Sequence, residues 1–305
     1  MRSMRRGRGV RGYLRIWLGL CLAMGARLVC AEPVLVSTDW VARHLGDPDL
    51  VLVDMAVEPI QYRRFHLPGA RYLPYDSLVA RGRDGISRRI PDRALFERLG
   101  AAGISSQTLV VIYDDIGGLQ ASRLFWELER IGHPRVSVMD GGLVRWVLER
   151  RRVVGGVPRV KGVSYTPPAG GGRANGIDLA GMEAVIPDPD VILLDVRSPE
   201  EYRGKAKVPR SGHIPGARSW PWRQAVDFEH GFTLRPAGEI LSSLRGLGIG
   251  GRGADLVLYC HSGHRAAHTY MTLRHLGFER LRLYDGSMAE YARYSNLPLR
   301  KGDTP

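Results

Sequence analysis

The run LYCHSGHRAAHTY, residues 258–270, ends an apolar stretch on Cys260 and then sets His261, Ser262, Gly263, His264 and Arg265 ahead of a helical pattern that begins near Ala266. A thiol attacks only as its thiolate. With an ordinary pKa of about 8.5 it is a few per cent ionised at neutral pH, and each unit of depression stabilises the anion by about 1.4 kcal/mol. A short loop between a strand end and a helix start turns several backbone N–H groups inward and adds the positive end of the helix dipole, so it can cradle an anion. Gly263 permits the tight turn. His261, His264 and Arg265 either add positive charge beside the thiol, or the histidines simply face water and Arg265 is a solvated arginine at a helix start. Cys260 is the expected nucleophile, and residues 261–265 are the expected binding loop. Asp195 and Arg197, which close an adjacent apolar run, are either rim catalysts or an ion pair that holds the loop, and the ion pair is favoured.

The elements that must present this loop occur twice. VLVDM (51–55) answers VILLDVR (191–197), FHLPGARYLPY (65–75) answers GHIPGARSWPW (212–222), and LVVIYDD (109–115) answers LVLYCHS (256–262). ELERIGHPRVSVMDGG (127–142) answers TLRHLGFERLRLYDGS (272–287). Four matches in one order, at a separation of about 145 residues, mark a duplicated domain, a period too long for a solenoid repeat. Buried strands are predicted at Val51–Val53, Leu109–Tyr113 and Val136–Met139, and again at Val191–Leu194, Leu256–Tyr259 and Leu281–Tyr284. Ala121, Leu124, Phe125, Leu128 and Ile131 repeat at helical spacing until Gly132, as Ala266, Tyr270, Leu273 and Leu276 do until Gly277. Strand, helix, strand implies an α/β fold, with a parallel sheet in each half covered by helices on both faces. In such sheets ligands bind beyond the carboxyl ends of the strands, which is where Cys260 falls. Residues 154–176, rich in glycine and proline, form the linker between a first domain at 32–153 and a second at 177–305.

Residues 1–31 read as an export signal: arginines 2, 5, 6, 8 and 11 ahead of the apolar Ile16–Ala26, then the small-residue site Val29-Cys30-Ala31. The apolar stretch is about half of the roughly 20 residues a spanning helix needs, so stable membrane insertion after cleavage is not expected. The segment carries seven arginines and no acid, and its removal takes the formal net charge from +13 to +6. No Lys/Arg block of nucleic-acid type remains, so nucleic acid is not an expected partner. Cys21 and Cys30 leave with the signal, and Cys260 is left as the one thiol of an exported chain, periplasmic if the source is bacterial.

Taken together, the aspartate-ending strands, HIPGA at 213–217, the six-residue loop Cys260–Arg265 and the run Tyr284-Asp285-Gly286-Ser287 resemble a tandem-domain sulfurtransferase of the rhodanese family over essentially the whole mature chain. The resemblance implies that Cys260 takes the outer sulfur of a small anionic donor, thiosulfate or 3-mercaptopyruvate, as a persulfide. The sulfur then passes to a thiophilic acceptor such as cyanide, a thiol or a protein cysteine, with no cofactor and no metal. It implies an inactive first domain, since Asp114 stands at the place of the cysteine. It also implies that Ser262 relays protons and that Ser287 hydrogen-bonds the cysteine sulfur, while His213 and His66 are expected to fix turns, with His66 facing the cleft from the inactive domain as the alternative. One departure concerns the donor: relatives that prefer these two donors often carry an arginine just before the aromatic residue matched by Tyr202, and this chain has Glu201. Lys205, Lys207 and Arg210 follow in a loop that would replace the charge, and thiosulfate is the favoured donor. A phosphatase or arsenate reductase needs five residues between cysteine and arginine; here four separate Cys260 from Arg265, and Ala266 holds the arginine's place. A non-catalytic binding module is the remaining alternative, and the complete cysteine loop argues against it.

Overall fold

A computed structural model describes residues 32–205 and 210–305; the segment read as an export signal and Lys207 lie outside the described residues. The first half comprises β1 (Leu35–Val36), β2 (Leu50–Asp54), β3 (Arg71–Tyr72), β4 (Val79–Arg81), β5 (Ser87–Arg89), β6 (Leu109–Tyr113) and β7 (Val136–Met139). The second repeats the series as β8 (Gly176–Ile177), β9 (Val191–Asp195), β10 (Arg218–Ser219), β11 (Val226–Asp227), β12 (Thr233–Leu234), β13 (Asp255–Tyr259) and β14 (Leu281–Tyr284). The two five-stranded sheets run β1-β7-β6-β2-β3 and β8-β14-β13-β9-β10, parallel throughout. β4/β5 and β11/β12 are antiparallel hairpins. All six strands expected from the sequence are present.

Why these strands are apolar on consecutive residues follows from what covers them. Val51, Val53, Val110 and Ile112 point into a core that continues into the second half, where Leu194, Leu256 and Leu258 line it. The alternate residues Leu52, Val111 and Tyr113 pack outward with Trp146, and Leu193, Val257 and Tyr259 do the same with Tyr291. A strand buried on both faces loses the period-two alternation and reads as a continuous run. The halves therefore hold two sheets around one shared core.

The helices Ala121–Arg130 and His264–His275 pack against each other at the junction. Each starts beyond the carboxyl end of the central strand of its sheet, β6 or β13, so the junction brings both strand-to-helix loops to the same side of the helix pair. The helix His264–His275 opens two residues earlier than its apolar spacing indicated, with Gly263 as its N-cap. The linker is only partly extended chain. Tyr165 is buried with its hydroxyl 3.1 Å from His133 Nδ1, Asn175 is fully buried against Trp126 and Tyr270, and Gly176 already belongs to β8. No helix among the described residues is long and apolar enough to cross a membrane.

Candidate active site

Cys260 directly follows the last residue of β13; its thiol is free and 1% exposed. The loop it opens is fixed from below by Ser287. Ser287 Oγ accepts the N–H groups of Cys260 (3.2 Å) and Gly263 (3.1 Å), and its own proton goes to the Tyr284 carbonyl at 2.7 Å. The next two residues complete the support, since Met288 N–H bonds Cys260 O (3.1 Å) and Ala289 N–H bonds His261 O (2.8 Å). Ser287 holds a left-handed backbone with φ of 49°, a conformation that side-chain-bearing residues adopt at a cost and that persists where the surroundings impose it. Gly263 has φ of 76°, and a Cβ there would lie 2.5 Å from Asp285 Oδ1 and 3.0 Å from Arg123 Nη1, so glycine is required for space as well as for conformation. The contact expected between Ser287 and the cysteine sulfur is replaced by this bracket of main-chain bonds, because the one hydroxyl proton is already given to Tyr284.

The first half shows what such a loop does with an anion. Asp114, at the position matching Cys260, turns its carboxylate back into its own loop. Oδ1 accepts the N–H groups of Ile116 (3.0 Å) and Gly118 (2.8 Å), and Oδ2 those of Gln120 (2.7 Å) and Ala121 (3.0 Å). Leu143 N–H bonds Asp114 O at 2.8 Å, as Met288 N–H bonds Cys260 O. One loop carries a built-in anion and the other a thiol.

Charge around Cys260 is paired. Arg265 lies against Glu201 with Nη1 to Oε2 at 2.6 Å and Nη2 to Oε1 at 2.9 Å. Burial opposes ionisation of Glu201, but the bonds from Arg265 and Ser198 N–H, with the nearby charges of Arg265 and Arg197, hold its carboxyl down at about 2. Arg197 is tied to Asp195, Nη2 to Oδ2 at 2.5 Å and Nε to Oδ1 at 2.9 Å, and also donates to Gly212 O at 2.7 Å. This is the ion pair anticipated for them. Arg123, from the first half, reaches Asp285 with Nη1 to Oδ1 at 2.6 Å.

His264 stacks on Tyr75 of the first half at 4.1 Å between ring centroids. Its burial, reinforced by the charges of Arg123 and Arg265, pushes its pKa down to about 3, so at neutral pH it contributes an uncharged ring rather than a cation. His261 is exposed at the rim and Ser262 half-buried in the loop. His66 and His213 fix turns: each sets Nδ1 2.8 Å from a carbonyl, of Tyr62 and Tyr202 respectively, and stacks on that tyrosine ring.

Arg123 and His268 carry no motif that marks them for the site, and Tyr75 and Asp285 lie in the matched runs FHLPGARYLPY and Tyr284-Asp285-Gly286-Ser287 without any sign there of a role in it. Arg123 and Glu127 lie opposite the apolar stripe of their helix and read as its solvated face, yet both are buried at 1% exposure or less because the second half covers them. His268, also fully buried, places Nε2 3.0 Å from Gly117 O of the opposite loop. Each half thus sends a helix side chain to the other's loop. The hairpins reciprocate as well: Arg89 N–H bonds Asp285 Oδ2 at 2.7 Å, and Leu234 N–H bonds Asp140 Oδ1 at 2.8 Å.

Comparison with known proteins agrees with this architecture. A family model described as the rhodanese-like domain matches residues 37–149 and 180–294. The chain is 35% identical over 287 residues to the sulfur carrier protein TtuD of Thermus thermophilus, covering 88% of this chain and 97% of that one. It is 31% identical over 275 residues to a thiosulfate sulfurtransferase of Azotobacter vinelandii, with the same coverages of 88% and 97%. Among solved structures, the 3-mercaptopyruvate sulfurtransferase SseA of Escherichia coli superposes with a TM-score of 0.74 at 22% identity, over 84% of this chain and 99% of that one, a likeness of fold.

Proposed function

The chain belongs to the rhodanese family, and from that premise we propose that it is a sulfurtransferase that carries sulfane sulfur on Cys260. The observation that supports this most directly is the pair of matched loops. In the first half four N–H groups close on a carboxylate, and in the second the equivalent position is a free thiol at the strand end, bracketed by Ser287.

The Cys260 thiolate attacks the outer sulfur of the donor. A new S–S bond forms, the donor's bond to that sulfur breaks, and the electron pair leaves with sulfite when the donor is thiosulfate. A thiophilic acceptor, cyanide or a thiol, then takes the terminal sulfur and restores the thiolate. The loop N–H groups and the dipole of the twelve-residue helix His264–His275 hold the negative charge of the terminal sulfur. Asp114 cannot carry sulfur, so the first half acts as the other wall of the cleft through Tyr75 and Arg123.

Mass spectrometry after mixing with thiosulfate or 3-mercaptopyruvate tests the reading. Cys260 is expected to gain one sulfur atom, to lose it to cyanide, and to gain none in Cys260→Ser. Cys260-dependent hydrolysis of an aryl phosphate with no persulfide from any donor would overturn it. We further propose that residues 1–31 act as a cleaved export signal, so that the mature protein begins near Glu32 and is periplasmic if the source is bacterial; an exported form that still starts at Met1 would refute cleavage.

A further inference from the structure

Three arginines among the described residues approach the Cys260 loop, and each is matched by a carboxylate: Arg197 by Asp195, Arg123 by Asp285, and Arg265 by Glu201. The first two pairs are deep, with arginine side chains 6% and 0% exposed. The third is the most exposed of the three, with Arg265 and Glu201 side chains 24% and 26% exposed, so solvent reaches both of its partners. Arg265 is the first-turn residue of its helix that a donor's distal anionic group would meet. Its two terminal nitrogens already face both oxygens of Glu201 in a fork-to-fork pair, the strongest geometry a guanidinium forms with a carboxylate. The histidines of the loop do not substitute, since the pKa of His264 lies at about 3, and partial loss of hydration, with the charge of Arg265, lowers that of His261 although its edge remains exposed.

Resting on the sulfurtransferase reading, we propose that Glu201 is a charge gate that sets the donor class: this site takes sulfur from small persulfides, R–S–SH, whose R group is neutral or carries an ammonium, in preference to donors with a second, anionic end. The reacting sulfur needs only the loop N–H groups, which are unaffected by the gate. A sulfonate or carboxylate at the far end needs an unpaired cation, and it meets one already neutralised by the Glu201 carboxylate instead. Transfer balances without any further reagent: Cys–S⁻ attacks the outer sulfur of R–S–SH, the inner S–S bond breaks, and the products are Cys–S–SH and R–S⁻. An ammonium on R gains from the carboxylate that a sulfonate would be repelled by.

Glu201 also caps the short helix Pro199–Tyr202. Its Oε2 accepts Ser198 N–H at 3.1 Å while Ser198 Oγ accepts Glu201 N–H at 3.3 Å. Glutamine fills the same capping role, so Glu201→Gln removes the charge and keeps the cap.

The test uses three persulfides of one length, 2-aminoethyl, 2-hydroxyethyl and 2-sulfonatoethyl, with sulfur on Cys260 read by mass and kcat/KM measured to a common thiol acceptor. The parent protein is expected to prefer the aminoethyl over the sulfonatoethyl donor by tenfold or more. Glu201→Gln should shrink that ratio at least tenfold, mainly through a lower KM for the sulfonate, while Glu201→Asp should keep the parent order. Equal use of the three donors by the parent, or an order unchanged in Glu201→Gln, overturns the gate and leaves sulfur transfer standing. No sulfur on Cys260 from these donors or from thiosulfate refutes both.

Discussion

Arg123, in a helix of the half without a cysteine, donates to Asp285 across the domain junction at 2.6 Å, and Asp285 stands two residues before the serine that brackets Cys260. The guanidinium is fully buried, and Glu127, itself 1% exposed, accepts from its other arm at 3.2 Å. Removing one partner of such a group strands charge in a low-dielectric interior, which costs more than the intact pair contributes. Arg123→Met is expected to lower stability by about 3–5 kcal/mol. In a folded background it should also slow sulfur uptake by Cys260 more than it changes donor KM, because the loop loses its prop and the rim is untouched. Denaturant unfolding and single-turnover kinetics check the two parts. Arg123→Lys should recover little of either, since an ammonium cannot make the forked contact.

The bracket itself is open to test at Ser287. Ser287→Ala leaves the N–H groups of Cys260 and Gly263 without their acceptor, at a cost of about 1–3 kcal/mol. The rate of persulfide formation should fall with it. Unchanged single-turnover rates would mean that Met288 and Ala289 alone suffice to shape the loop.

Asp114 offers a contrast between chemistry and stability. Cys260→Ser should abolish sulfur transfer with little effect on the fold. Asp114→Ala should leave the chemical step largely intact but uncover four N–H groups that now share one carboxylate, for a loss of about 3 kcal/mol or more. Equal loss of turnover in folded samples of both variants would place the first loop in the reaction.

A pH effect on stability is expected from Asp54. Its counterpart Asp195 has Arg197 two residues on, whereas Asp54 has Ala56, and Asp54 Oδ2 finds no partner among the described residues. Burial first, with the charges of Asp115 and Asp114, raises its pKa to about 6 against the pull of the Tyr113 hydroxyl and the bond from Ala56 N–H. A carboxyl whose folded pKa exceeds its unfolded value favours the native state when protonated. Its stabilising share is full below about pH 4 and declines as pH rises to about 6. Relative to the parent, Asp54→Asn should therefore gain about 2–3 kcal/mol between pH 4 and pH 7. Thermal unfolding of both proteins across that range measures it; parallel curves would contradict the raised pKa.

The sequence by itself determined the duplicated α/β plan, the strands, the cysteine at a strand end and the glycine beside it. Each of these is written in local patterns: β-branched runs, helical spacing stopped by Gly132 and Gly277, and a glycine at 263 that permits a tight turn. Even the oddity of Glu201 was legible as a residue type out of place. What the tertiary structure decided was pairing. Glu201 meets Arg265 across 64 residues of chain, and Arg123 meets Asp285 across 162. Neither contact leaves a periodic trace, because a charged residue on a helix has the same spacing whether water or another domain covers it. The same holds for the core. The apolar strands announce that both sheet faces are buried, but only packing shows that the helices Ala121–Arg130 and His264–His275, laid on the inner face of each sheet, bury each other, which is how a half that lacks the nucleophile comes to hold the loop that has it.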